Sequence, residues 1–174
     1  MSIIQAVGRL LFPGHMVQTA SMPNFDLKRY LGEWHEIARL ENWFERGMNR
    51  VSARYDLRDD GSIAVTNSGY DIRSGERKEV KARAVTGDAP NHLKVYFVPL
   101  VYGRYEVAFV DEEYSRAVVA GGTLNYLWLL ARKPCLEEEE MLPMLRCSEG
   151  LGYDTSLLIY SDSQSVPQSG HGKK

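Results

Sequence analysis

Between Trp34 and Ala131 the chain repeats one pattern: a short run of alternating apolar and polar residues, then a turn, with no helical stretch in between. Val51, Ala53, Tyr55 and Leu57 alternate, and Asp59-Asp60-Gly61 sends the chain back into Ile63 and Val65. Asp-Gly between two alternating runs is a strong hairpin signal, because the tight turn needs positive φ at its central positions. Val80-Ala82-Ala84, Leu93-Val95-Phe97, Tyr105-Val107-Phe109, Val118-Ala120 and the apolar Tyr126 to Ala131 follow at similar spacing. Side chains alternate across a strand, so each run has one face to bury, and the next run is the natural partner. Counting the run that begins at Trp34, eight strands fit in about a hundred residues. Such an antiparallel meander reads as an up-and-down barrel or a sandwich.

The 174 residues suffice for one domain with its own core, and a net charge of −2 does not indicate a nucleic-acid partner. No apolar run reaches the length of a membrane-spanning helix. Cys135 and Cys147, if on one helix, stand roughly 18 Å apart along its axis, far beyond disulfide reach, so two free thiols are expected. Residues 1–23 are expected to be a leader or flexible segment outside the domain. Ile3, Ile4, Val7, Leu10 and Leu11 share one helical face, which also allows an interfacial helix. Gln5, Gly8 and Arg9 interrupt any signal-peptide core. Residues 162–174, rich in Ser, Gly and Gln, are expected to be a disordered tail. After the strands, Pro134 starts a helix with Glu137 to Glu140 in its first turn, where acids suit the positive end of the helix dipole. Met141, Leu142 and Leu145 are expected to face the sheet, Pro143 to shorten or kink the helix, and Thr155 to Tyr160 to form a last short strand.

Three short motifs sharpen the barrel reading. Asn24 to Arg39 passes from a turn-forming piece through Gly32 into an alternating segment led by Trp34. Asp111-Glu112-Glu113-Tyr114 lies between two strands, and Arg132 closes the last strand just before the helix. In this order and spacing they resemble the motifs of the lipocalins. The likeness covers Asn24 to about Ser161 and is nearest to the bacterial outer-membrane lipocalins, through Lys28-Arg29-Tyr30-Leu31-Gly32, Glu45-Arg46-Gly47 and Leu57-Arg58-Asp59-Asp60-Gly61. His35 stands where the family usually has tyrosine. The resemblance implies an all-β, eight-stranded calyx with one C-terminal helix on its wall and a short last strand. It also implies a floor built from Gly32, Trp34, Asp111, Tyr114 and Arg132, with the Arg132 guanidinium over the Trp34 ring.

An eight-stranded barrel holds about one small ligand. Alternation places Ala38, Leu40, Tyr55, Ile63, Val65, Ala82, Ala84, Val95, Phe97, Val107, Phe109, Val118, Trp128 and Leu130 inside, an almost wholly apolar set whose alanines leave volume. Glu36 is the awkward residue, because an inward carboxyl needs a partner or a raised pKa. The mouth is expected at Trp43, Phe44, Arg46 and Arg50, with the arginines available to a carboxylate or phosphate. The expected partner is a fatty acid or lysophospholipid, carried at or within the cell envelope. Peripheral membrane contact and a monomer or homodimer stand open beside it. No cysteine precedes Asn24, so a lipidated cysteine is not expected, and a cytoplasmic location stays open. No cofactor or metal is expected: His15, His35, His92 and His171 lack metal-ligand spacing, and no Gly-x-Ser-x-Gly elbow occurs. The chain reads as a binding protein and not an enzyme. The alternatives are a small isomerase or heme-handling enzyme on the same barrel, or a structural surface protein with a filled barrel.

Overall fold

The computed structural model describes residues 16–42 and 45–163. Eight strands run antiparallel in sequence order: β1 (Gly32–Arg39), β2 (Met48–Leu57), β3 (Ile63–Asp71), β4 (Arg77–Thr86), β5 (His92–Val98), β6 (Val101–Val110), β7 (Arg116–Ala120) and β8 (Leu127–Ala131). β1 pairs with both β8 and β2, which closes the barrel and leaves these strands no open edge. A helical turn, α1 (Leu27–Tyr30), leads into β1. The Asp26 carboxylate caps it by accepting from the Lys28 and Arg29 amides. Helix α2 (Glu138–Gly150) lies on the outer wall, its start closed by reciprocal bonds between Glu137 and Glu140. A 3₁₀ turn over Thr155–Leu157 and a two-residue strand, β9 (Ile159–Tyr160), occupy the stretch expected to be one strand. β9 pairs with Ala38 and Arg39 of β1, beyond the part of β1 that pairs with β2.

Two apolar clusters lie on opposite faces of one wall. Inside the barrel, Tyr55, Ile63, Val65, Ala82, Ala84, Leu93, Val95, Val107, Ala117, Val119 and Leu130 gather above Trp34 and Tyr30. Outside, Met141 and Met144 of α2 pack on Ile37, Ala38, Leu40, Val118, Ala120, Leu127, Leu129 and Ala131. The helix runs through Pro143 without being shortened, and its buried stripe is Met141, Met144 and Ser148. Leu142, expected to face the sheet, is instead exposed, because it lies one position off that stripe, about 100° around the axis. Leu145 is partly buried against the outer cluster, and both cysteines are free.

The bulges in the ladder decide which residues enter the barrel. β1 shifts register against β8 between Glu36 and Ala38, and β6 shifts against β7 between Val107 and Phe109. An extra residue at a bulge reverses the inward and outward phase beyond it. The expectation that Ala38, Leu40, Phe109 and Val118 line the interior is therefore corrected. Ala38 and Leu40 follow the β1 bulge and face the helix, Phe109 follows the β6 bulge, and Val118 pairs with it on the outer side. Ala117 and Val119 take the inward places on β7, and Arg39 takes that of Leu40 on β1.

The start of the described chain also departs from expectation. Residues 16–23 do not stand apart from the domain but run down the outer wall from the β7–β8 loop toward the floor. The Val17 amide donates to Gly122 O, and Thr19 Oγ1 donates to Glu106 Oε2 at 2.7 Å and meets His92 Nε2 at 2.9 Å. Met22 N donates to Asn91 Oδ1, while Asn91 Nδ2 donates to the Ala20 and Val107 carbonyls. Buried polar side chains on that wall, Asn91 and Glu106, thus find partners in the strap. Residues 1–15 and 164–174 lie outside the described residues.

Candidate functional site

The floor comes first, because it sets the depth of anything above it. Gly32 has φ of 94°, a conformation that leads the chain from α1 into β1 and that a side chain would strain. Trp34 is fully buried, and its indole N–H donates to Tyr30 O at 2.7 Å. The Arg132 guanidinium lies 3.9 Å from the centre of that ring. Its N–H groups donate to the carbonyls of Arg29, Tyr30, Leu31, Glu33 and Tyr114. Asp111 accepts from the Ser115 and Arg116 amides, from Ser115 Oγ and from Arg116 Nε. Burial alone would raise its pKa, but these four donors hold it below the usual carboxylate value. Tyr114 sits at φ 56° with its hydroxyl accepting from the Asp26 amide. The five floor residues expected from the sequence all meet here.

Above Trp34 stand three tyrosines. Tyr55 OH donates to Tyr105 OH at 2.9 Å, and Tyr30 OH bonds to Tyr105 OH at 2.6 Å. Burial raises all three pKa values, so they remain neutral hydroxyls. Around these rings the inner face is built of small or apolar residues, among them Ala53, Ala82, Ala84, Val95 and Val107, buried in the same cluster. Toward the mouth the inner face opens to solvent. Val80 and Phe97 continue the inward phases of Ala82 and Val95, yet they remain 53% and 49% exposed. Tyr105, at the level of the lower tyrosines, is itself partly exposed.

One side of the chamber is polar, which alternation without a bulge did not reveal. Arg39 Nη1 donates to Glu36 Oε1 at 2.6 Å, and Nη2 donates to the carbonyls of Glu45 and Met48. Glu45 comes from the β1–β2 loop, and its Oε2 accepts from Trp128 Nε1 at 3.0 Å and from Asn42 Nδ2 at 2.5 Å. Burial raises the Glu36 pKa to about 8, the Glu45 charge adds to the rise, and Arg39 opposes it. The arginines expected to serve the ligand are elsewhere. Arg46 is exposed and pairs with Glu41, and Arg50 lies over the Tyr70 ring on the outer wall. Trp43 and Phe44 lie outside the described residues. A sequence signal for the buried pair did exist. Glu36 and Arg39 are three apart on a strand, so they share a face only across a bulge. Two opposite charges in an otherwise apolar run ask for one.

A floor closed by Arg over Trp, an eight-stranded calyx and a helix on its wall agree with the family comparison. A model of the lipocalin-like domain matches residues 25–163. The chain is a lipocalin. This lipocalin is 44% identical over 144 residues to the outer membrane lipoprotein Blc of Vibrio cholerae, covering 81% of this chain and 84% of that one. It is 43% identical over 139 residues to the protein of that name from Escherichia coli K12, covering 79% and 78%. Among solved structures, the cockroach allergen Per a 4 superposes with a TM-score of 0.69 at 16% identity, covering 88% of this lipocalin and 97% of the allergen. The last likeness speaks to the fold alone.

Proposed function

We propose that this lipocalin binds a small hydrophobic ligand in the barrel, a fatty acid or lysophospholipid, and carries it in the cell envelope. The observation that supports the reading is the apolar inner face opening toward the mouth: inward-phase Val80 and Phe97 remain half-exposed above a plugged floor. An alkyl chain would lie against Val95, Val107 and the alanines, with its polar end toward the mouth. The envelope location is supported by the similarity to proteins named as outer membrane lipoproteins.

The test is a titration of fatty acids of about eight to about eighteen carbons, followed by tryptophan fluorescence. Each buried methylene contributes about 0.8 kcal/mol, so affinity should rise steeply with length until the chamber depth is reached. Ala84→Trp and Val107→Trp place a large ring in the chamber and should abolish binding. An affinity independent of chain length, with both variants binding as the parent does, would remove the chamber as a lipid site.

A further inference from the structure

The seam between β1 and β2 leaves a cleft of about 360 Å³ on the outer wall. β1 pairs with β2 only from Gly32 to His35, and above that point β9 and Ser161 take its edge. The ladder registers set out what faces the cleft. His35 lies opposite Ser52, and Ser52 opposite Ser68, so two small hydroxyls floor one row. The row above holds Arg50, Tyr70 and Arg77, with Tyr70 directly across from Arg77. Small side chains in one row and large ones in the next make the depression.

The backbone puts Arg50 there. β2 shifts register against β3 between Asn49 and Ser52, and Arg50 inside this bulge has φ of 48°. Residues other than glycine seldom hold such a φ, and bulges re-aim side chains beside sites. Here the guanidinium is laid over Tyr70, 4.6 Å from the ring centre. Asn49 Oδ1 pins the turn by accepting from the Arg50 and Asp162 amides. The Arg50 guanidinium pairs with no carboxylate among the described residues. Arg77 has only a share in Glu79, which lies 3.5 Å from it and 4.0 Å from Lys81. Ser52 and Ser68 bond to each other at 3.2 Å, which uses one of their two hydroxyl hydrogens and leaves the other. Two guanidinium groups beside one ring repel each other, and an anion between them removes the repulsion. The acids of the cleft do not fill that place. Glu36 is turned inward to Arg39. Glu33 pairs in register with Arg54, four residues down β2 from Arg50, or about 10 Å away.

We propose that this cleft binds a phosphate group between Arg50 and Arg77, outside the barrel and apart from the chamber. A guanidinium presents a planar fork of donors that matches phosphate oxygens. Two forks and a serine hydroxyl serve three oxygens, one more than a carboxylate has. A phosphomonoester carries a charge of about −1.5 to −2 at pH 7, which neutralises both guanidinium groups. A small soluble phosphate ester and a lipid headgroup offer the same chemistry, and the test separates them.

The full-length protein is titrated at low salt with inorganic phosphate, with glycerol 3-phosphate and with acetate, followed by NMR of the arginine Nε–H signals. Both phosphates should shift the Arg50 and Arg77 signals saturably, and acetate should bind at least about tenfold more weakly. Arg50→Gln and Arg77→Gln should each weaken phosphate about tenfold, through the loss of one charge-assisted contact. Arg77 lies outside the bulge, so its variant keeps the test if Arg50→Gln melts lower than the parent. Arg54→Gln, one row down and paired with Asp56, should bind as the parent does. Flotation with phosphatidic acid vesicles, but not with phosphatidylcholine alone, and its loss in Arg50→Gln, would assign the phosphate to a lipid. Saturation by the soluble phosphates without flotation would assign it to a small molecule. The proposal is overturned if neither phosphate gives a saturable shift, or if acetate binds as well as phosphate. It is equally overturned if Arg50→Gln and Arg77→Gln bind as the parent does, or if Arg54→Gln loses as much as they do.

Discussion

The barrel uses an arginine and a tryptophan twice, once at each end, and to different effect. At the floor, the Arg132 guanidinium covers Trp34 and gives its N–H groups to five backbone carbonyls. Near the mouth, Arg39 meets the Glu36 carboxyl and two carbonyls, and Trp128 reaches the group through the Glu45 carboxylate. Carbonyls do not titrate, so the floor keeps one state across the ordinary pH range. The upper group holds two carboxyls to one guanidinium, and Arg39 Nε has no hydrogen-bond partner among the described residues. One end is fixed by the backbone; the other depends on a proton.

The largest effect is expected at the floor. Trp34→Ala removes a fully buried ring and its bond to Tyr30, and should cost about 3–5 kcal/mol, as large aromatic truncations in cores do. An unchanged thermal melt would remove Trp34 from the core. The upper group should respond to pH instead. Glu36 has a higher pKa folded than unfolded, so the folded state binds the extra proton between about 4.5 and about 8. Stability from this group is therefore complete below that window and is lost as pH rises through it. Glu36→Gln should flatten the slope and gain on the parent by about 1–2 kcal/mol at the upper end of the window. Parallel stability curves for the two proteins would show that Glu36 does not titrate there. Tyr55→Phe tests the boundary between the two regions. It leaves the ring in place and removes one hydroxyl bond, so a loss of only about 0.5–1.5 kcal/mol is expected, read by chemical denaturation.

The floor was legible in the sequence because its residues are chemically distinctive and sit at turns. Gly32, Trp34, Asp111, Tyr114 and Arg132 each do something that few other residues could do in those places. The interior of the wall was most legible where one face is wet, although Val107, Trp128 and Leu130 were also placed inside correctly. On β2 to β5, polar residues mark the outer face, and Tyr55, Ile63, Val65, Ala82, Ala84 and Val95 were placed correctly. β7 and β8 are buried on both faces, by the chamber and by α2, so Ala117-Val118-Val119-Ala120 carries no alternation to read. The bulges at Ile37 and Ala108 have no glycine or proline to announce them. They flipped Ala38, Leu40 and Phe109 outward and turned Arg39 inward.

The strap along the outer wall has a mechanical consequence. It is fastened near its upper end by the Val17 amide at Gly122 and lower down by Thr19 and Asn91. A pull on the polypeptide ahead of Met16 loads these fasteners one after another, top to bottom, and not all at once. The strap should peel like a zip at low force while the closed ring of strands carries no tension. Only when the pull reaches Phe25 and the helical turn under Trp34 would the load meet the floor. The eight or so residues in between would act as a give in the line, extending by about 3.5 Å each before the barrel is strained.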